Sequence, residues 1–203
     1  LNSRRPALFN IYAVCQPEHG VGDDMSDHQS KLVVESRGYP LFRYDPDAGV
    51  TFEEACSIEG NPAIEDDWPE YTLKYQDEDG AEAELSVPLT FADFALTEGR
   101  FRKHFRKAPP ETWHDDMVPL AEFIDLDEDD RDGRYPYIWA TDAKNRLVRV
   151  LVAQELVTST EERRDFWHQL RSVAGADKRV DLEQVRGEAK AEMARSLTAG
   201  LLA

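Results

Sequence analysis

Residues Ala7-Leu8-Phe9-Asn10-Ile11-Tyr12-Ala13-Val14 form a run that is apolar on both faces apart from Asn10. Side chains of a strand point alternately to opposite faces, so a run without polar alternation has no side to give to water. Such a run reads as an interior strand of a parallel sheet covered by helices, and it sets the fold class expected of the amino-terminal part. The run breaks at Cys15-Gln16-Pro17, and a Gly- and Asp-rich stretch over 18–27 follows. Ser26 with Gln29 three residues on predicts a capped helix ending near Gly38, after which 39–44 reads as a second strand. Strand, loop, helix and strand make one right-handed crossover unit, closed by Asp45-Pro46-Asp47-Ala48-Gly49.

Beyond Gly49 the pattern changes. Gly60-Asn61-Pro62 and Asp66-Asp67-Trp68-Pro69 mark an irregular connector. Tyr71, Leu73 and Tyr75 alternate, Asp79-Gly80 signals a tight turn, and Leu85 and Val87 alternate again, which predicts a hairpin over 71–88. Thr90 then caps a helix whose stripe is Phe91, Phe94, Phe101 and Phe105, with Arg100, Arg102, Lys103, Arg106 and Lys107 in its last turns where the helix dipole favours cations. Ala108-Pro109-Pro110 stops it. Residues 111–134 carry ten acids against two bases and read as a solvated loop. A second hairpin is expected from Tyr137 to Val152 and a helix from the Ser159/Glu162 capping box to Gly175. A last helix bears the stripe Leu182, Val185, Ala189, Met193, Leu197 and Leu201. The expected class is α/β grading into α+β, in three segments: 1–49, the end of a parallel-sheet domain; 50–110, a hairpin with the Phe-rich helix; and 111–203, a hairpin and helical extension.

Twenty-four basic against forty-one acidic side chains leave a net charge of −17, with no basic stripe to neutralise a phosphate backbone, so nucleic acid is excluded as a partner. No apolar stretch nears the roughly 18 residues of a spanning helix, so a membrane is excluded too. Two cysteines cannot make a disulfide framework, and with no secretory signal in view a reducing cytoplasm is expected. The opening on Leu1, six residues before a strand-like run, suggests a fragment of a longer polypeptide.

The densest polar cluster is Cys15, His19, Gly20, Gly22, Asp23, Asp24 and His28, just after the first strand, where open parallel sheets hold their ligands. Cys15 and His19 have the spacing of two zinc ligands, but Pro17 argues against a normal helix between them and no second pair follows. A Cys–His nucleophilic pair lacks an identifiable third group. The plainer alternative is a small thiol buried at a strand end, with His19 capping backbone groups. Gly20 and Gly22 lack the third glycine and the Lys of a phosphate loop. The acidic run 125–132 has Asp130 and Pro136 where a calcium loop needs Gly and Glu. Cys56 reads as a buried small hydrophobe.

Arg5-Pro6-Ala7-Leu8 through Cys15 and His19-Gly20, then Gln29-Ser30-Lys31-Leu32-Val33-Val34-Glu35-Ser36, then Tyr39-Pro40-Leu41-Phe42-Arg43-Tyr44-Asp45-Pro46, resembles the pyruvate and 2-oxoacid:ferredoxin (flavodoxin) oxidoreductases near the end of their thiamine-binding domain. The resemblance is specific over about 6–49 and looser to about 175. It implies a cytoplasmic, dimeric enzyme using thiamine diphosphate, magnesium and [4Fe-4S] clusters, with ferredoxin or flavodoxin as electron carrier. It implies residues 1–49 as the last part of the thiamine-diphosphate-binding domain, and Cys15 as one thiolate on the cluster nearest the thiamine. This chain has three residues rather than two between Cys15 and His19-Gly20, no Gly-Asp-Gly with downstream Asn, and no paired cysteines. Four thiolates are needed for a cluster and two are present, so the chain cannot run the reaction alone, and no cofactor is expected bound to it.

Two expectations follow. In the first, the chain is the carboxyl-terminal portion of such an oxidoreductase, inactive alone, giving Cys15 to a cluster and the rest to assembly with the remainder of the enzyme in a homodimer. In the second, it is a non-catalytic protein–protein interaction module that kept the shape and lost the chemistry, its hairpins and terminal helix contacting another protein. The terminal apolar stripe covers either its own domain or another subunit.

Overall fold

A computed structural model describes residues 6–177 and Lys190. The apolar stripe expected from Leu182 to Leu201 lies outside the described residues. In chain order the elements are α1 (Gln16–His19), α2 (Ser26–Glu35), β1 (Arg43–Tyr44), α3 (Phe52–Ala55), β2 (Cys56–Ser57), β3 (Glu70–Gln76), β4 (Glu82–Pro88) and α4 (Phe91–Leu96). A 3-10 turn (Gly99–His104) leads into β5 (Phe105–Ala108), followed by β6 (Met117–Pro119), α5 (Leu120–Phe123), α6 (Glu128–Arg131), β7 (Tyr135–Thr141), β8 (Leu147–Val152) and α7 (Gln154–Val173). The architecture is a mixed α+β one, with no feature that marks it as a thiamine-binding fold.

Both expected hairpins form. β3 and β4 pair antiparallel from Glu70 opposite Pro88 to Gln76 opposite Glu82, and Gly80 turns them at φ 80°. β7 and β8 pair from Tyr137 opposite Leu151 to Thr141 opposite Leu147, around a turn that places Asn145 at φ 57°. The β7–β8 hairpin is the centre of a four-stranded sheet of order β5-β8-β7-β6, in which β6 and β7 run parallel and the other neighbours antiparallel. Its two faces separate by residue parity. Ile138, Val150 and Val152 join the main core, while Tyr137, Trp139 and Leu151 pack with Ala108, Met117 and Trp113 on the other side. There the Arg149 guanidinium lies 4.6 to 5.3 Å from the Tyr137, Trp113 and Trp139 ring centres.

The main core gathers Val33 of α2, Trp68, Phe91 and Phe94 of α4, Leu120 and Phe123 of α5, and Leu156 and Val157 of α7. A second cluster holds Cys56, Ile58, Trp167 and Leu170. The two meet at Arg37, which is fully buried with its guanidinium 3.9 Å from the Trp167 ring centre. Arg37 donates to the carbonyls of Ala63, Asp66 and Asp67, and Trp167 Nε1 also donates to Asp66 O. One side chain thereby ties the irregular connector to both the end of α2 and the middle of α7.

Several expectations are corrected. Residues 7–14 form no strand, and no backbone–backbone hydrogen bond engages them among the described residues. The crossover unit is therefore not formed: Arg43 and Tyr44 pair antiparallel with Ser57 and Cys56, and the one parallel pair among the described residues is β6–β7. An interior strand requires neighbours on both edges, and the described residues supply none. The Phe-rich helix stops at Leu96; Phe105 opens β5, where it lies opposite Val152. Covering the free edge of β8 outweighs continuing the helix. Arg106 and Lys107 are then exposed on an edge strand, a placement that discourages pairing with other chains, instead of complementing a helix dipole.

Caps differ as well. α7 begins at Gln154, five residues before Ser159, and α2 has no side-chain cap, because the Gln29 amide is buried against Thr97. The left-handed residue after α2 is Arg37 at φ 59°, while Gly38 serves close packing: a Cβ there would lie 3.0 Å from Val33 Cγ2 and 3.1 Å from Phe91 Cδ2. Within the acidic run, Glu128–Arg131 forms one exposed helical turn. Among the described residues no helix is long and apolar enough to cross a membrane.

Candidate functional site

Pro17 does not prevent a helical turn between Cys15 and His19. It occupies the first turn of α1, where a missing N–H costs nothing, and Cys15 is the residue that precedes the helix. Cys15 is exposed and His19 is buried, so the turn separates their side chains. Gly20 ends α1 at φ 65° and sits against Gly99; a Cβ on Gly20 would lie 3.0 Å from Gly99 Cα. This backbone-to-backbone approach brings His19 beside Glu98.

Glu98 is 1% exposed and has three partners. Oε1 accepts from Tyr12 Oη at 3.3 Å and lies 3.2 Å from His19 Nδ1, and Oε2 accepts from Arg100 Nε at 2.6 Å. Tyr12 Oη is also 3.3 Å from His19 Nδ1. Burial, with the Glu98 charge second, pushes the Tyr12 phenol up to about 12, so it stays protonated at neutral pH. The array has an acid, an imidazole and a phenol, but the exposed Cys15 thiol lies outside it. What it does is hold: Tyr12 is stapled to Glu98 across 86 residues of sequence and packs on Tyr39 at 5.9 Å between ring centres.

On either side of that staple the chain lies at the surface. Leu8 is 95%, Phe9 64% and Ile11 77% exposed. Leu41, Phe42, Tyr44, Val50 and Phe52, from the strand and turns that follow α2, are exposed as well. Beneath Tyr12 lies an open cavity of about 490 Å³ whose walls include Tyr12, His19, Phe91, Arg100, Phe101 and Arg163.

The residues singled out by sequence thus do not form one site. Among the described residues no group of three or more His, Cys, Asp or Glu could hold a metal ion. Cys56, the other thiol, is buried with Ile58, Trp167 and Leu170, and burial raises its pKa. The expectation that the chain supplies Cys15 as a ligand to an iron–sulfur centre of a 2-oxoacid oxidoreductase is overturned on this ground, as is the Cys15–His19 zinc pair: a ligand needs convergent partners, and His19 is committed to Glu98. Gly20 has a role in packing. Sequence reasoning missed Glu98, Gly99, Arg100 and Arg163 as a group, since they come together only through the break after α4. Comparison with family models, with curated proteins and with solved structures returned no match.

Proposed function

We propose that this chain is a non-catalytic protein–protein interaction module that donates residues 7–14 as a strand to the open sheet edge of a partner protein. Seven of those eight residues are apolar, and their backbone groups are unpaired among the described residues. Strand addition uses both properties: the main chain supplies a ladder of hydrogen bonds, and alternate side chains enter pockets on the two faces. The single observation that carries the reading is the exposure of Leu8, Phe9 and Ile11 on a segment held to the body at Tyr12. Burying three such side chains is worth about 1.5–3 kcal/mol each, the scale on which specific association is built. The net charge of −17 favours a partner edge that is neutral or basic. The likeness of residues 6–49 to an oxidoreductase segment enters as sequence alone, without that family's chemistry.

Residue-resolved hydrogen exchange tests the reading. In the monomeric chain the amides of Leu8 to Ile11 exchange as in an unstructured peptide, and a photo-reactive residue at position 8 joins the chain to strand-edge residues of one partner. The double variant Leu8→Asp/Ile11→Asp abolishes that joining with the melting temperature unchanged. Strong protection of these amides in the monomer would refute strand donation.

A further inference from the structure

The cavity under Tyr12 has a charge pattern at odds with the rest of the chain. In a protein with 41 acids and 24 bases, the half-buried Arg163 has no carboxylate partner among the described residues. Its guanidinium lies 3.7 Å from the Phe91 ring centre. One terminal nitrogen donates to Ser159 O at 2.9 Å, and Nε is sealed without an acceptor. The second terminal nitrogen has no hydrogen bond among the described residues. Across the cavity, Arg100 spends Nε on Glu98 and has both terminal nitrogens uncommitted. Burial first, and the Arg100 charge after the opposing one of Glu162, act on the Arg163 guanidinium. Glu98 pairs with Arg100 through Nε and offsets that charge, so the cavity offers the Arg163 charge together with the free terminal nitrogens of both guanidinium groups.

Arg100 and Arg163 therefore line one opening together with Phe91, Phe94, Phe101, Tyr12 and His19. A guanidinium with free N–H groups is the side chain best matched to a planar anion, which it grips through two parallel hydrogen bonds. Apolar floors with a few convergent polar groups, in cavities of about 300–1,000 Å³, are the common form of small-molecule sites. We propose that this cavity binds an organic anion that joins a carboxylate, held between Arg100 and Arg163, to an apolar body of about one ring, packed among Tyr12, Tyr39 and Phe101, which also line it. The site shares Asn10, Ile11, Tyr12 and Ala13 with the strand that residues 7–14 are proposed to donate, so the benzoate titration is made on the chain without its protein partner.

The test is a titration of the full chain with benzoate, followed by calorimetry and by amide chemical shifts. Benzoate binds saturably with one site per chain, while acetate, which lacks the ring, and benzyl alcohol, which lacks the charge, bind at least about tenfold more weakly. Arg163→Gln weakens benzoate about tenfold or more, and shift changes map to Tyr12, Phe91 and Phe101. Because Arg163 packs on Phe91, Arg100→Gln, at a more exposed position, provides a second variant with the same expected loss. Absence of saturation up to about 20 mM benzoate, equal binding of benzyl alcohol, or full affinity in a folded Arg163→Gln or Arg100→Gln variant overturns the proposal.

Discussion

Replacing Arg37 by Met tests how the two cores are joined. The side chain donates to Ala63 O at 2.7 Å, Asp67 O at 2.9 Å and Asp66 O at 3.2 Å. Asp66 O keeps its bond from Trp167 Nε1 and Ala63 O keeps its bond from Asp66 N, so the substitution orphans one carbonyl, Asp67 O, at about 1–3 kcal/mol. Loss of the cation over the Trp167 ring removes about 0.5–2 kcal/mol more. Against this, burial, and secondarily Arg171, hold the Arg37 guanidinium down at about 10, and its third nitrogen is buried without a partner. A methionine, shorter by two atoms but unbranched and apolar, spares that desolvation and keeps part of the packing on the indole. The net expectation is a loss of about 2 kcal/mol, one orphaned carbonyl and the ring contact less the desolvation that is spared. Urea unfolding monitored by far-UV circular dichroism and tryptophan fluorescence measures it, and hydrogen exchange should show amides over 61–68 opening first. A variant within about 1 kcal/mol of wild type would mean that Trp167 and the apolar contacts hold the connector without Arg37.

Two further outcomes follow. Burial raises the Asp93 carboxyl to about 6, despite the hydrogen bonds it accepts from Thr90 and Tyr71, so the folded state binds this proton more tightly than the unfolded chain, whose carboxyl titrates near 3.8. Its contribution to stability is greatest in acid and is lost as pH rises through about 6; wild type should gain about 2–3 kcal/mol on Asp93→Asn between pH 7 and pH 4, and a constant gap in urea melts would contradict this. In the native chain a disulfide reagent should modify Cys15 promptly and Cys56 only on unfolding; two equally fast thiols would place Cys56 outside the core.

The corrected cluster role has a structural cause. A sheet-end pocket rimmed by Cys15 and His19 exists only if the run 7–14 is an interior strand. With no strand beside it among the described residues, the run lies along the surface, Cys15 faces solvent and His19 turns to Glu98. The same apolar composition that suggested a buried strand lies exposed at Leu8, Phe9 and Ile11.

What the sequence by itself determined is what short-range chemistry decides. Asp79-Gly80 and Asp142 to Asn145 turn the chain within four residues, and the alternation on either side sets the register, so both hairpins were legible. Gly175 at φ 66° likewise marks the end of α7 by a local need for a left-handed residue. Only the tertiary structure decided the rest. Tyr12 meets Glu98 across 86 residues, Trp167 meets Asp66 across 101, and β5 leaves a helical pattern because β8 offers an edge. Apolar periodicity reports which side chains seek cover, and it carries no information on whether a neighbour is there to provide it.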